Sequence, residues 1–315
     1  MSGEAPSTLS VPCPLCGSTD ERTLYVRATR GDTPFAAEMT TDVFAAYGRV
    51  ARCRRCGMTY RNPRETEEHV LHAYAALEDG DYLEERECRG MNALLSLKAL
   101  KRHVAAGRLL EVGCSTGFFL NAARLEFDCR GVEPSIWAAG IARERFGLEI
   151  HRGSFETFDA EPASFDAVAM IDVIEHVLDP ASVVRRVASL LRPGGVFYVV
   201  TPDISSLSAR LLGRYWWGLR PAHLTYFSPT TLGLLLDQAG FEVREVRSFG
   251  RIFTYGYWLS RLAAYPAPIR GVIGAFVRAL GWEDKVLYVN TRDTMEVFAV
   301  RTAEAEASPA NPTLG

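Results

Sequence analysis

The chain has 315 residues, 48% of them apolar and 23% charged, with a formal net charge of −3. That length can bury one sizeable core and carry a small second module, and the scattered basic residues exclude a nucleic-acid groove. No run reaches the roughly 18 apolar residues of a membrane-spanning helix, and the polar opening M-S-G-E-A-P-S-T lacks the layout of a signal peptide.

The first chemistry-bearing motifs are C-P-L-C-G, from Cys13, and C-R-R-C-G, from Cys53. In each, two thiolates can point at one ion while the glycine relieves the turn. Together Cys13, Cys16, Cys53 and Cys56 supply the four thiolates that a closed, structural zinc site takes. The 36 residues between the pairs exceed the usual spacing of about 15–20, so the intervening chain must fold back, as a hairpin through 23–27 and 50–52. Residues 1–70 thus read as a small zinc-ribbon-like module. Cys88, Cys114 and Cys129 have no matching partners and read as core or loop residues. Cysteine usage of this kind fits a reducing cytoplasm better than a secreted disulfide framework.

From 65 to 106 the apolar residues recur at three and four, a helical spacing, with a break at Gly80. Residues 71–107 read as a helical linker. Strands then alternate with helices: strand 108–112, helix 118–126, strand 128–132, helix 135–146, strand 148–151, strand 165–171, helix 180–191 and strand 195–200. After strand 241–247 comes an excursion over 249–290, and T-M-E-V-F-A-V-R, from Thr294, closes the series. Such alternation predicts an α/β fold, a doubly wound sheet with helices on both faces. The tail 304–315 has too little apolar content to fold and reads as disordered.

Ligands of such sheets bind outside the carboxyl ends of the strands. E-V-G-C-S-T-G, from Glu111, follows the first strand and opens a helix. Gly113 and Gly117 let its loop turn tightly and approach a ligand. Glu133, 20 residues past Gly113, ends the next strand in V-E-P, where a carboxylate can accept from both hydroxyls of a ribose. The dinucleotide fingerprint needs a glycine where Ser115 stands. Glu111 is poor company for a pyrophosphate but good for an ammonium. A ribose with a zwitterionic amino acid in place of phosphates is S-adenosylmethionine.

With those motifs, F-D-A-V-A-M-I-D-V-I-E-H (from Phe165) and L-R-P-G-G-V-F-Y-V-V (from Leu191), the chain resembles the class I S-adenosylmethionine-dependent methyltransferases over 108–303. The resemblance implies a seven-stranded Rossmann-like sheet whose last strand is antiparallel, at the sheet's far side. It implies a cofactor set of Glu111, Gly113, Cys114, Gly117, Glu133, Pro134, Ser154, Phe155 and Asp172, with adenine near Ser154 and Phe155. It also implies a lid over 74–86 that places Tyr82 near the methionine end. S-adenosylhomocysteine would be the product.

Transfer to a hydroxyl benefits from a general base, and two histidines stand near the strand edge. His176 ends D-V-I-E-H, a pair also found in proteins resembling ubiquinone-pathway O-methyltransferases. Asp172, Glu175 and His176 could act through the imidazole, gather a divalent cation, or merely favour a helix start. His223 lies in an H-L-x-x-F segment that, in similar small-molecule enzymes, faces the acceptor. Tyr215, Trp216, Trp217 and Tyr226 then form a candidate acceptor wall, and residues 249–290 a cap. An interfacial helix pair presenting Arg251, Arg261, Arg270 and Arg278 to lipid is the reading not adopted, since no dense lysine cluster accompanies it. The zinc front end resembles enzymes of secondary-metabolite, sugar and polysaccharide biosynthesis. The large additional domain of the deoxysugar C-methyltransferases is missing, which favours O-methylation over C- or N-methylation. A non-catalytic docking protein is the competing class, opposed by Glu111, Gly113, Gly117 and Glu133.

Overall fold

The computed structural model describes residues 8–27, 47–262 and 267–303, with Asp81, Tyr82 and 267–270 described by backbone alone. Its centre is a seven-stranded sheet built from β1 (Gly107–Val112), β2 (Phe127–Glu133), β3 (Glu149–Arg152), β4 (Phe165–Ile171), β5 (Leu191–Pro202), β6 (Phe241–Ser248) and β7 (Thr294–Arg301). The order across the sheet is β6-β7-β5-β4-β1-β2-β3. The pairs β3–β2, β2–β1, β1–β4 and β4–β5 are parallel, and β7 runs antiparallel to both β5 and β6. The antiparallel strand expected at the far side is therefore not an edge strand; it is inserted between β5 and β6.

The central strands read as unbroken apolar runs because both faces are covered: Ala167 to Met170 on β4 and Val196 to Val200 on β5 are all buried. The expected helices begin where their caps stand. Ser135 caps Ile136–Phe146 by accepting from Ala138 N–H, and Asp179 caps Pro180–Leu190 by accepting from Ser182 N–H. Ser228 and Thr231 form a reciprocal capping box on Pro229–Gln238. Two boundaries moved by three residues or more. Helix Phe118–Ala123 stops three residues early, where Glu126 N–H bonds to Ala123 O and turns the chain into β2. β5 starts at Leu191, with a register shift between Leu191 and Val196 that Gly194 accommodates at φ +78°.

In front of the sheet, Glu21–Arg27 pairs antiparallel with Gly48–Cys53, the hairpin expected from the cysteine spacing. Gly48–Cys53 also pairs with Thr59–Arg61, which pairs with Thr225–Tyr226. The fourth strand of the N-terminal sheet thus comes from the chain after β5. Helices Glu67–Ala75, Gly80–Glu84 and Arg86–Leu100 lead from this sheet to β1. The excursion after β6 forms a two-stranded ribbon, Arg251–Thr254 with Val286–Val289, around helices Tyr255–Arg261 and Ala267–Ala279. Residues 304–315 and their expected disorder lie outside the described residues. Among the described residues no helix is long and apolar enough to cross a membrane.

Candidate active site and thiolate cluster

A cavity of about 900 Å³ opens at the carboxyl edge of β1, β2, β4 and β5, roofed by the excursion and by helices Glu67–Ala75 and Arg86–Leu100. One half is built from the glycine loop. Gly113 adopts φ +71°, and a Cβ there would meet Val173 Cγ2 at 2.5 Å, so only glycine fits. Ser115 also has positive φ, +47°. Its N–H donates to Glu133 Oε2 at 2.8 Å, and Ser135 N–H donates to Glu133 Oε1 at 2.8 Å. Each carboxylate oxygen keeps a lone pair for another donor. Burial raises the Glu133 carboxyl and the two amides lower it, with a net upward shift. Glu111 is buried, its Oε2 has no hydrogen-bond partner, and burial with the Glu133 charge pushes its carboxyl well up. A cationic group is what such an orphaned carboxylate lacks.

Of the cofactor residues expected from sequence, Glu111, Gly113, Cys114, Glu133, Pro134, Ser154, Phe155 and Asp172 line this cavity. Gly117 does not; a Cβ there would meet Leu148 at 2.6 Å and Ala142 at 3.0 Å, so it serves helix packing. The Cys114 thiol lies against Gly131, inside the core. Tyr82 sits in Gly80–Glu84, and its side chain lies outside the described residues. The sequence reading did not single out Tyr74, which lines the cavity with a buried hydroxyl lacking a partner, edge-on to His176 at 6.2 Å.

The other half lies beyond Asp172, which directly follows β4 at φ +56° and takes Arg251 Nη2 on both oxygens at 2.6 and 2.7 Å. The ion pair ties the first residue of the ribbon to the central strand. Next come Glu175 and His176, in a short 3-10 turn, and His223 on the segment that feeds Thr225–Tyr226. Their connection is direct: Leu224 N–H donates to Glu175 O, and Arg61 N–H on the N-terminal sheet donates to Leu224 O, both at 2.9 Å. Arg61 also bonds Pro221 O and pairs with buried Glu65 at 2.6 Å. The cysteine-bearing sheet therefore holds the His223 segment in place.

The two imidazoles meet edge to face with centroids 4.7 Å apart. His176 Nδ1 lies 3.0 Å from Ala222 O and His223 Nδ1 2.8 Å from Gly218 O. A carbonyl only accepts, so Nδ1 carries the proton in each ring and Nε2 is the lone-pair nitrogen. Burial, reinforced by the Arg220 guanidinium, lowers His176 to about 4. Burial, His176 and Arg220 push His223 well down. Both rings are neutral at physiological pH. Burial and the Asp172 charge raise Glu175 to about 8.

Of the four acceptor-wall residues expected, only Trp217 lines the cavity. Trp216 and Tyr226 are buried in a separate cluster with Tyr47, Val50 and Leu219, and Tyr215 is 40% exposed. Aromatic rows more often fill cores than pockets, and Asp293 draws Trp216 and Trp217 together by accepting from both indoles at 3.0 and 2.6 Å. An aromatic and cationic face of the cavity comes instead from the excursion and the helix beside it. Arg89 lies over Phe253, Phe253 stacks on Tyr257 at 3.9 Å, and Arg261 lies over Tyr257 at 4.0 Å. Arg251 and Arg261, weighed as headgroup contacts, both line the cavity, and the Arg270 side chain lies outside the described residues. The Arg251–Asp172 pairing carries no local sequence signal; 79 residues separate the partners. Among the groups that could hold an ion, Asp172 does not join Glu175 and His176 as expected; His223 takes its place.

At the front, the four cysteine sulfurs lie within 4.8 Å of one another, with Cys13–Cys56 at 3.5 Å and Cys16–Cys53 at 3.6 Å. A tetrahedral set at the usual zinc–sulfur length of about 2.3 Å has sulfurs about 3.8 Å apart; disulfides would need about 2.05 Å. Gly17 and Gly57 relieve the two knuckles at φ +70° and +80°. Burial opposes ionisation of Cys53, but the Cys56 and Arg55 amides outweigh it and bring the thiol down to about 7.

A seven-stranded sheet of this order, with an acid-and-glycine loop at its carboxyl edge, defines the class I S-adenosylmethionine-dependent methyltransferases. Comparison agrees: the methyltransferase-domain family matches residues 82–246, and the chain belongs to it. A Mycolicibacterium smegmatis protein named "probable S-adenosylmethionine-dependent methyltransferase" is 31% identical over 213 residues, covering 66% of this chain and 77% of that protein. The Aromatoleum aromaticum ubiquinone biosynthesis O-methyltransferase is 31% identical over 157 residues, 45% of this chain and 67% of that protein. A chain from the complex of the Haloferax volcanii Trm112 methyltransferase activator with a methyltransferase shares the fold, with TM-score 0.51 and 19% identity over 69% of this chain and 92% of that one. The protein is a methyltransferase that uses S-adenosylmethionine.

Proposed function

We propose that the protein transfers a methyl group to a hydroxyl of a small molecule, an intermediate of natural-product, sugar or polysaccharide biosynthesis. The observation that carries this reading is the pair of buried, neutral imidazoles, His176 and His223, on the acceptor side of the cavity. S-adenosylmethionine, when bound, supplies a methyl group that is already electrophilic. The protein's tasks are then to align the acceptor with it and to release the acceptor's proton.

Glu133 would hold the ribose, Glu111 the ammonium, and Ser154 and Phe155 the adenine. Two neutral Nε2 atoms offer lone pairs where the hydroxyl proton must leave. Trp217, Phe253, Tyr257 and Arg261 would wall the acceptor, with Asp172–Arg251 closing the cap onto the sheet. The thiolate tetrad would hold a structural zinc with no open position, whose work is to order the sheet that carries His223. The name of the Aromatoleum relative also favours an oxygen acceptor.

The test is calorimetric titration with S-adenosylhomocysteine, with NADH as control, followed by a mass-spectrometric acceptor screen for a gain of one methylene. One-site binding of the first ligand alone is expected. The variant His223→Ala is expected to keep that binding and lose turnover; full activity would remove His223 from the site.

A further inference from the structure

Glu175, His176 and His223 each offer one ligand atom within 4.8 Å of the other two. With each Nδ1–H committed to a carbonyl, both imidazoles have only lone pairs left to offer. Glu175 is 1% exposed; its Oε2 accepts from Thr201 Oγ1 at 2.9 Å, and its Oε1 has no hydrogen-bond partner. Glu175, His176 and His223 thus bring a carboxyl group and two imidazoles with lone-pair nitrogens into one small space. Such a set is costly alone and is relieved by a cation.

We propose that Glu175, His176 and His223 form a divalent-cation site with open coordination positions toward the acceptor half of the cavity. The outer contacts are those of metal ligands: each histidine is oriented by an Nδ1–H to a backbone carbonyl, and the carboxylate by a hydroxyl. Two imidazoles and one carboxylate suit a first-row transition ion such as zinc or manganese better than magnesium or calcium. Three protein ligands beside an open cavity describe a catalytic arrangement, unlike the closed set of four cysteines. The Arg220 guanidinium is a like charge near both rings, but the Glu175 carboxylate lies within the cluster itself. The inference rests on the hydroxyl-acceptor reading for its purpose. With the two imidazoles engaged as ligands, the cation would replace them as the means of activating the acceptor: it would lower the pKa of a hydroxyl placed against it, the proton would leave to water, the oxygen pair would form the new O–C bond, and the C–S pair would return to sulfur.

The experiment is a manganese(II) titration of the full chain with its thiolate site filled with zinc, followed by electron paramagnetic resonance of the free ion. One equivalent is expected for the wild type. Glu175→Gln and His223→Gln are expected to weaken uptake more than roughly 100-fold, and Thr201→Val, which removes only the support of Glu175, roughly 10- to 100-fold. S-adenosylhomocysteine binding should persist in each variant. No uptake of manganese or zinc beyond the thiolate equivalent in the wild type would overturn the site, as would uptake unchanged by the ligand substitutions. Failure of the homolog to bind the wild type would instead overturn the methyl-transfer reading, whatever the metal count.

Discussion

Replacing Glu133 with glutamine tests the cofactor half of the site at a single atom pair. In the native chain both carboxylate oxygens are spoken for by backbone amides, Ser115 and Ser135, each at 2.8 Å. Two of about four lone-pair positions remain for ribose hydroxyls. Glutamine keeps the shape but turns one oxygen into an NH2. That donor then faces a backbone N–H and also fails the hydroxyl it should receive. Losing one charge-assisted hydrogen bond costs about 1.5–3 kcal/mol, or roughly 10- to 150-fold in Kd for S-adenosylhomocysteine at about 1.4 kcal/mol per tenfold. Opposing the buried amide costs about 1–3 kcal/mol of stability, a melting shift of several degrees. Calorimetry at neutral pH with a parallel thermal melt separates the two effects. A Kd within about twofold of wild type, beside the expected melting shift, would refute the ribose role. Because the native carboxyl is shifted upward, affinity should be complete above its folded pKa and fall as pH drops through it, a dependence the variant should lack.

Chelation, or Cys53→Ser, should abolish turnover before it affects S-adenosylhomocysteine binding, because the cysteine-bearing sheet holds Leu224 and Pro221 through Arg61, whereas Glu111 and Glu133 stand on β1 and β2 of the large sheet; simultaneous loss of both, measured by calorimetry and activity, would argue against that division. Glu21 should give the same module an acid-labile component. Burial would raise its carboxyl, but Tyr60, Asn62 and Arg49 outweigh it and hold it below the ordinary value. Its contribution is therefore present above the unfolded pKa of about 4.3 and lost as pH falls through the folded one; Glu21→Gln should flatten the melting temperature over that window. In His223→Ala, unchanged homolog affinity with no methylated product is the expected pair of results.

The sheet was legible because its strands are apolar runs and its helices begin at Ser135 and Asp179, signals a few residues long. The glycine loop and Glu133 were legible for the same reason. The tetrad was readable from two knuckles and the hairpin between them. What escaped depends on contacts between distant segments. Trp216 and Tyr226 look like a pocket wall until Asp293 and Tyr47 claim them for the core. Asp172 looks like a partner for Glu175 until Arg251 occupies both its oxygens. His223 reaches Glu175 only because Thr59–Arg61 takes up the chain after β5 as a strand. No local pattern announces that a cysteine-rich front end supplies a shelf for a histidine beyond position 220.

The excursion leaves the sheet at Phe249 and returns at Thr294, and Phe249 N–H donates to Thr294 O at 2.8 Å. Its two feet are thus already joined, side by side, on strands that pair whether or not anything hangs between them. Closing a longer loop on such feet adds only about 0.6 kcal/mol per doubling of its length. The wall proposed for the acceptor is in this sense a detachable part. A lineage could exchange the whole segment, and with it the molecules admitted, while the groove for the methyl donor is inherited unchanged.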